Sequence, residues 1–243
     1  MQSNFMLTAQ FVPNPFPALA GNYPGLYYDP ANVQHGSAGA VTVTTLPTGG
    51  FSASVRNGIR KFAFTGRFDL DGHATNLVVR PGTNALAVEL DLDLQGGNRI
   101  TGRVTDGAWS SSLTAHRVVF QAAANPATQF ATNYTLLMPG ALDSTLAPPG
   151  DGFGSIKVDR SGMATLAGAL ADASPLAQKA PVSGAGDCPL YVSLYGGKGS
   201  LFGWLRLRPT AEIDLDGTAN WVRPSGPAPK VYTNGFALSS AVE

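Results

Sequence analysis

The fold is decided by the stretch Pro189-Leu190-Tyr191-Val192-Ser193-Leu194-Tyr195, Gly196-Gly197-Lys198-Gly199, Ser200-Leu201-Phe202-Gly203-Trp204-Leu205-Arg206-Leu207-Arg208. Apolar residues recur at every second position on both sides of a Gly-rich loop, as in strands with one buried face. The stretch therefore predicts an antiparallel hairpin around the loop 196–199. The predicted core-side pairs are Leu194 with Leu201, Val192 with Gly203 and Leu190 with Leu205.

The composition of the chain is typical of short strands joined by tight turns. Of its 243 residues, 44% are hydrophobic and only 13% are charged, with 29 glycines and 18 prolines. An all-β, antiparallel fold is expected. The 16 acidic and 16 basic residues balance, so no electrostatic footprint for nucleic acid is seen. No apolar run is long enough for a membrane span, and the single cysteine, Cys188, excludes an intrachain disulfide.

Strand and turn signals repeat along the chain in two similar series. Asn133-Tyr134 repeats Asn22-Tyr23, and Asp216-Gly217 followed by Trp221 repeats Asp106-Gly107 followed by Trp109. The shared order predicts an internal duplication. We expect an N-terminal strand and Pro-rich linker (1–17), a first β repeat (18–128) and a second (129–243). Each repeat has about seven or eight strands, in a barrel-like or sandwich arrangement.

A hairpin at 86–105 is the predicted counterpart of the hairpin at 189–208. Its core-side pairs are Leu92 with Ile100, Leu90 with Gly102 and Val88 with Val104. Its opposite face carries Glu89, Asp91 and Asp93, which predict a solvated surface. The corresponding face of the second hairpin carries aromatic rings and arginines instead. The predicted ligand-binding residues are Tyr191, Tyr195, Phe202, Trp204 and Arg206, with Tyr191 directly across from Trp204.

Two interpretations of this aromatic face stay open. It packs against the other repeat, the connector or the C-terminal segment, or it is an open docking platform. Aromatic rings flanked by hydrogen-bonding groups suit sugar rings, whose C–H faces are apolar. Arginine can also bind acidic groups or stack on the rings.

The other motifs in the sequence predict structural elements and not catalytic or metal-binding sites. The tetrapeptide Asp-Leu-Asp-Gly, at 69–72 and 214–217, predicts turns, because the further ligands of a calcium loop are missing. Gly196-Gly197-Lys198-Gly199-Ser200 lacks the order of a phosphate loop. His35, His73 and His116 have no metal-type spacing. No catalytic residue, metal ligand or cofactor is predicted.

The chain resembles a β-rich module of very large secreted or surface-attached proteins of environmental bacteria. The resembling stretches are Gly21–Tyr27, Ile100–Trp109 and Pro189–Leu201. The resemblance implies an extracellular or cell-surface location, with neighbouring modules in a longer chain, and implies no activity. The N-terminus lacks the pattern of a signal peptide.

Three functions follow from these observations. The leading hypothesis is a non-enzymatic extracellular module, a spacer or adhesive unit whose aromatic face binds a polysaccharide or a surface protein. An extracellular carbohydrate-active hydrolase is the first alternative, with Glu89, Asp91 and Asp93 as weak candidates for its carboxylates. The second is a structural subunit that assembles by strand addition through the apolar strand at 4–12.

Overall fold

The computed structural model describes residues 12–208, 214–226 and 232–243, and it is all-β within them. The first half contains eight strands: β1 (Gly21–Tyr28), β2 (Gly39–Thr45), β3 (Gly50–Asn57), β4 (Arg60–Arg67), β5 (His73–Val78), β6 (Leu86–Leu92), β7 (Arg99–Thr105) and β8 (Ser110–His116). The second half contains β9 (Asn133–Met138), β10 (Gly152–Val158), β11 (Met163–Ala169), β12 (Pro175–Pro181), β13 (Asp187–Leu194), β14 (Gly199–Leu207), β15 (Leu215–Arg223) and β16 (Phe236–Val242). The described residues also contain three short 3-10 turns, at Pro17–Leu19, His35–Ser37 and Tyr195–Gly197.

The first half is one antiparallel sheet that curls into a nearly closed barrel. Its strand order is β4-β3-β2-β1-β8-β7-β6-β5, so β4 and β5 are the two edges. The edges meet through a side chain, because the amide of Asn76 on β5 donates to the carbonyl of Thr65 on β4 at 2.9 Å. The expected all-β, barrel-like architecture is confirmed for this half.

The second half is two four-stranded antiparallel sheets, β12-β11-β10-β9 and β13-β14-β15-β16. Leu137 and Glu243 exchange backbone hydrogen bonds, of 2.6 and 3.2 Å, between the end of β9 and the end of β16. On the other side, Gln178 of β12 bridges to β13: its amide donates to the carbonyl of Pro189 and its oxygen accepts from the backbone N–H of Tyr191. Proline has no N–H for a ladder, which explains why a side chain makes this junction.

Each half has its own filled core, as the period-two pattern predicts. Strand β2, for example, alternates buried and more exposed positions throughout. The first core contains Tyr23, Val43, Val88, Leu90, Ile100 and Val104, and the second contains Leu136, Ile156, Leu190, Leu201, Leu205 and Leu207. Phe16, predicted as part of the linker, is buried in the first core. Residues 4–11 of the predicted N-terminal strand lie outside the described residues.

The predicted register is right in one hairpin and wrong in the other. Leu92 pairs with Ile100, Leu90 with Gly102 and Val88 with Val104. In the second hairpin, Val192 pairs with Leu201, Leu190 with Gly203 and Cys188 with Leu205, a shift of two positions. Tyr191 therefore lies across from Phe202 and not from Trp204. The loop begins one residue early, because Tyr195 adopts a left-handed conformation (φ 52°).

The two halves share several backbone features in the same order. The backbone N–H of Leu92 donates to Gly72, and that of Leu207 donates to Gly186, at 2.8 and 2.9 Å. Tyr23 and Tyr134 each donate a hydroxyl to the carbonyl four positions earlier. These recurrences support the predicted duplication, which stays a prediction. If the duplication holds, the bonds of Leu92 and Leu207 make β6 and β14 equivalent, so the hairpin β6–β7 corresponds to β14–β15 and not to β13–β14.

The two copies of the tetrapeptide Asp-Leu-Asp-Gly, at 69–72 and 214–217, adopt different structures. Asp69–Gly72 is a turn, in which the Asp69 carboxylate accepts from the backbone N–H groups of Asp71 and His73. The second copy is not a turn, because β15 begins at Leu215 and Gly217 lies within it. The four residues alone therefore do not predict whether the tetrapeptide forms a turn or part of a strand.

Alanine at Gly102 or Gly217 should destabilise the fold. A Cβ at Gly102 would overlap the carbonyl oxygen of Glu89, and one at Gly217 would overlap that of Trp204. Backbone atoms cannot swing away, so we expect each variant to lose about 2 kcal/mol or more in urea unfolding. Gly36→Ala is the control, because no atom lies within 4 Å of its added Cβ. A loss as large at Gly36 would contradict this explanation.

Candidate functional site

The aromatic face of the second hairpin is buried against the first half. Phe202 is 1% exposed and Tyr191 is 5% exposed. Together with Leu26 and Ala38 they form a third apolar cluster, separate from the two cores, with Tyr28 and Trp204 packed against it. We call these six residues the inter-half contact. The first of the two interpretations, packing against the other repeat, is therefore correct for Tyr191, Phe202 and Trp204.

Ring geometry defines how the halves meet at this contact. The rings of Phe202 and Tyr28 lie 5.4 Å apart at an interplanar angle of 59°. The ring of Trp204 lies 5.1 Å from the imidazole of His116, edge to face at 88°. Tilted and edge-to-face arrangements are those that aromatic rings prefer.

Tyr191 links its ring to the β3–β4 turn of the first half. Its hydroxyl oxygen accepts a hydrogen bond of 2.6 Å from the buried backbone N–H of Gly58. The guanidinium of Arg56 lies 5.8 Å from the centre of the same ring. Burial raises the pKa of the Tyr191 hydroxyl, so the neutral phenol is the form present near neutral pH.

His35 makes the second polar connection between the halves. One ring nitrogen, Nδ1, lies 3.0 Å from Oγ of the fully buried Ser200, and Nε2 lies 3.0 Å from the carbonyl of Gly197. A carbonyl only accepts, so Nε2 carries the proton and Nδ1 accepts from the serine hydroxyl. Serine and histidine are adjacent here, but both ring nitrogens and the serine are used in holding the two halves together.

The remaining predicted site residues lie elsewhere. Tyr195 packs against the second core, where its hydroxyl donates to Asp172 at 2.6 Å and accepts from the indole N–H of Trp221 at 2.8 Å. Arg206 is exposed and pairs with Asp187 at 2.9 Å. The five predicted residues therefore do not form one open surface, and Phe202 is buried between the halves.

Sequence reasoning missed the residues that the first half contributes. His35 and Gly58 are far from the hairpin in sequence and carry no motif. The nearest local signal is Arg56-Asn57-Gly58, because Asn-Gly favours the central positions of a type I′ hairpin turn. In the structure, Gly58 and Ile59 form the loop. The Asn57 amide instead donates to the carbonyls of His35 and Ala38, at 2.6 and 2.8 Å.

A cleft opens beside the inter-half contact. It has a volume of about 280 Å³, and its walls come from β1 to β4 of the first half and from β12 and β13 of the second. Tyr191 and Leu26 belong to both the contact and the cleft. We call it the inter-half cleft. Residues of both halves also line a second opening of about 410 Å³, among them Asn98, His116 and Ser183.

Comparisons with known proteins do not assign the chain to a family. No family model matches it, and no curated protein matches it. Among solved structures, it is similar to a protein of unknown function from the DUF3598 family of Nostoc punctiforme, at 7% identity over 94% of this chain and 96% of that one, with a TM-score of 0.26. A mutant of the vaccine antigen Transferrin Binding Protein B from Haemophilus parasuis matches at 8% identity over 92% of this chain and 58% of that one, with a TM-score of 0.21. At these TM-scores, neither match bears on structure or function.

In the described part of the chain, no helix has the length and apolar character needed to cross a membrane. Across the same residues, no group of three or more His, Cys, Asp or Glu side chains is placed to hold a metal ion. Cys188 is buried, which raises the pKa of its thiol to about 12.

Removing the Tyr191 hydroxyl should weaken the fold measurably. Tyr191→Phe leaves the buried N–H of Gly58 without its partner, which costs about 1–3 kcal/mol. Urea unfolding measures this loss. Tyr232→Phe is the matched control, because that hydroxyl donates to Ser144 at an exposed position. If both variants lost the same stability, the contact would not depend on this bond.

Acid should weaken the contact through His35. Burial lowers the pKa of His35, so the folded state favours its neutral form. Its contribution is therefore complete above about pH 6.5 and is lost as the pH falls from there towards the lowered value. Burial also lowers the pKa of His116, which acts in the same direction. We expect the free energy of unfolding to fall less between about pH 7.5 and about pH 5.5 in His35→Asn than in the wild type.

His73 provides a control of opposite sign for that experiment. Its hydrogen bond to Asp91 raises its pKa, so its contribution is present at low pH and is lost as the pH rises. His73→Asn should make the fall in the free energy of unfolding on acidification larger than in the wild type. An unchanged pH dependence in His35→Asn would show that His35 does not couple protonation to the fold.

Proposed function

We propose that this chain is a non-enzymatic extracellular β module that acts as a rigid spacer in a larger surface assembly. The observation that carries the proposal is the inter-half contact, in which Tyr191 and Phe202 are buried between halves that each have a complete core of their own. Two units with their own cores, joined by buried aromatic rings, resist bending better than units joined by a flexible linker. The extracellular location rests on the sequence resemblance.

Filled interiors also argue against a carrier function. Barrels that carry a small molecule keep an internal cavity for it. The spaces that adjoin the second core here, one lined by Leu201 and Trp221 and the other by Ile156 and Leu205, each hold only about 10 Å³. Spaces of this size are too small to hold a carried molecule.

The two alternatives gain no specific support. The carboxylates considered for a hydrolase are paired on the surface: Glu89 with Arg103 at 2.9 Å, Asp91 with His73 at 2.7 Å and Asp93 with Arg99 at 3.6 Å. Assembly by strand addition depends on the strand at 4–12, most of which lies outside the described residues. The aromatic face is not an open platform for glycans, because Tyr191 and Phe202 are buried between the halves.

The spacer proposal is tested by pulling the whole chain from its two ends in single-molecule force spectroscopy. If the halves are one mechanical unit, the wild type unfolds in one event. Phe202→Ala removes the central ring of the contact, a loss of about 3–5 kcal/mol for a buried phenylalanine. We expect two separate unfolding events in this variant, because each half keeps its own core.

Phe153→Ala is the matched control, because Phe153 is 63% exposed on the second half. It should unfold in one event, as the wild type does. Two independent events in the wild type would overturn the proposal, since the halves would then behave as separate units under load.

A further inference from the structure

The inter-half cleft collects positive charge from both halves. Its polar lining includes Arg56 on β3, Lys61 on β4 and Lys179 on β12. Arg56 and Lys61 are direct cross-strand partners in the first half, and Lys179 comes from the second. No aspartate or glutamate is among the described residues that line the cleft.

The three cleft cations have no carboxylate partner among the described residues, as is also true of Arg67, Arg117 and Arg223, whereas several other arginines do have one. Arg80, Arg103, Arg206 and Arg208 each pair with a carboxylate at 2.8 to 3.2 Å. None of the three cleft cations forms an ion pair with any residue of the described ranges. Lys179 contributes to lowering the pKa of Asp159, but that carboxylate lies outside the lining and accepts from Ser161 and Met163.

Unpaired like charges at this position oppose the fold. Like charges directly opposite each other on antiparallel strands are destabilising, and Arg56 and Lys61 are such a pair. Packing of the halves adds a third cation to the same cleft. An anion bound there would replace this repulsion with attraction, which is a physical reason for the arrangement.

Arg56 is held in a position suited to a carboxylate. Its Nε donates to the carbonyl of Gly58 at 3.1 Å, and its guanidinium lies over the ring of Tyr191. Its two terminal nitrogens donate to no residue in the described part of the chain. A guanidinium fixed on one side can offer a planar pair of donors to a carboxylate.

The rest of the cleft suits a small ligand with apolar faces and hydroxyls. Pro24, Leu26 and Pro189 provide apolar surface, while Thr42 and Ser54 provide hydroxyl groups. The volume of about 280 Å³ lies just below the range of pockets for drug-sized ligands, so the ligand is small. We propose that the inter-half cleft binds a single carboxylated sugar residue, a uronate, with its carboxylate on Arg56, Lys61 and Lys179.

This proposal does not rest on the spacer function. It is tested by isothermal titration of the whole protein with glucuronate and galacturonate, with glucose and galactose as neutral counterparts and inorganic phosphate as a simple anion. We expect at least one uronate to bind, its neutral counterpart to bind at least about tenfold more weakly, and added salt to weaken uronate binding.

The decisive variant is Lys61→Gln/Lys179→Gln, because both lysines are exposed and make no ion pair, so their removal should leave the fold intact. Loss of two charge-assisted contacts should weaken uronate binding by about tenfold or more. Arg56→Gln should do the same, with unfolding in urea showing whether it still folds. Lys157→Gln, on β10 and outside the cleft, is the charge-matched control and should bind as the wild type does.

Three outcomes would overturn the assignment. Equal binding of uronates to the wild type and to the double lysine variant would place the site elsewhere. Binding of phosphate without binding of uronates would leave an anion site with no sugar specificity. Equal binding of neutral sugars and uronates would remove the role of the cations.

Discussion

The contact of the Phe202 ring with Tyr28 is the interaction on which the arrangement of the halves depends. Each half has its own core, so neither needs the other to bury its leucines and valines. What remains is a small third cluster at the surface of both. Removal of this apolar area from water supplies the attraction between the halves, but the attraction itself is non-directional.

The orientation of the two halves relative to each other is set by the polar bonds around that ring cluster. Gly58 donates to Tyr191, and His35 connects to Ser200 and Gly197, so two points of the first half are fixed to the loop and strands of the second. Buried groups of this kind destabilise any arrangement that leaves them without partners. Not every buried polar group forms a hydrogen bond. In the second half, the buried hydroxyl of Ser193 has no hydrogen-bond partner among the described residues.

The sequence was sufficient for the strands and their faces but not for the register of the second hairpin. A shift of two positions keeps every side chain on the same face, so the leucine pattern is satisfied by both the predicted and the observed pairing. Bonds from the Tyr195 hydroxyl to Asp172 and Trp221 accompany the observed pairing, and these partners are distant in sequence. Contacts between residues distant in sequence also could not be predicted at the candidate site. The pattern identified the aromatic face as unusual, but His35 and Arg56 reach it only through the packing of the two halves.

The cleft and the contact are coupled by their shared residues. Tyr191 belongs to both, with its hydroxyl on Gly58 and its ring beneath Arg56. Closing the halves brings Lys179 to the cations of the first half, and repulsion among the three then opposes the attraction of the rings. In the proposed complex, a ligand carboxylate replaces the repulsion among the three cations with attraction. Because coupling between binding and closure is reciprocal, a closed contact strengthens ligand binding to the same extent that the ligand stabilises the closed contact.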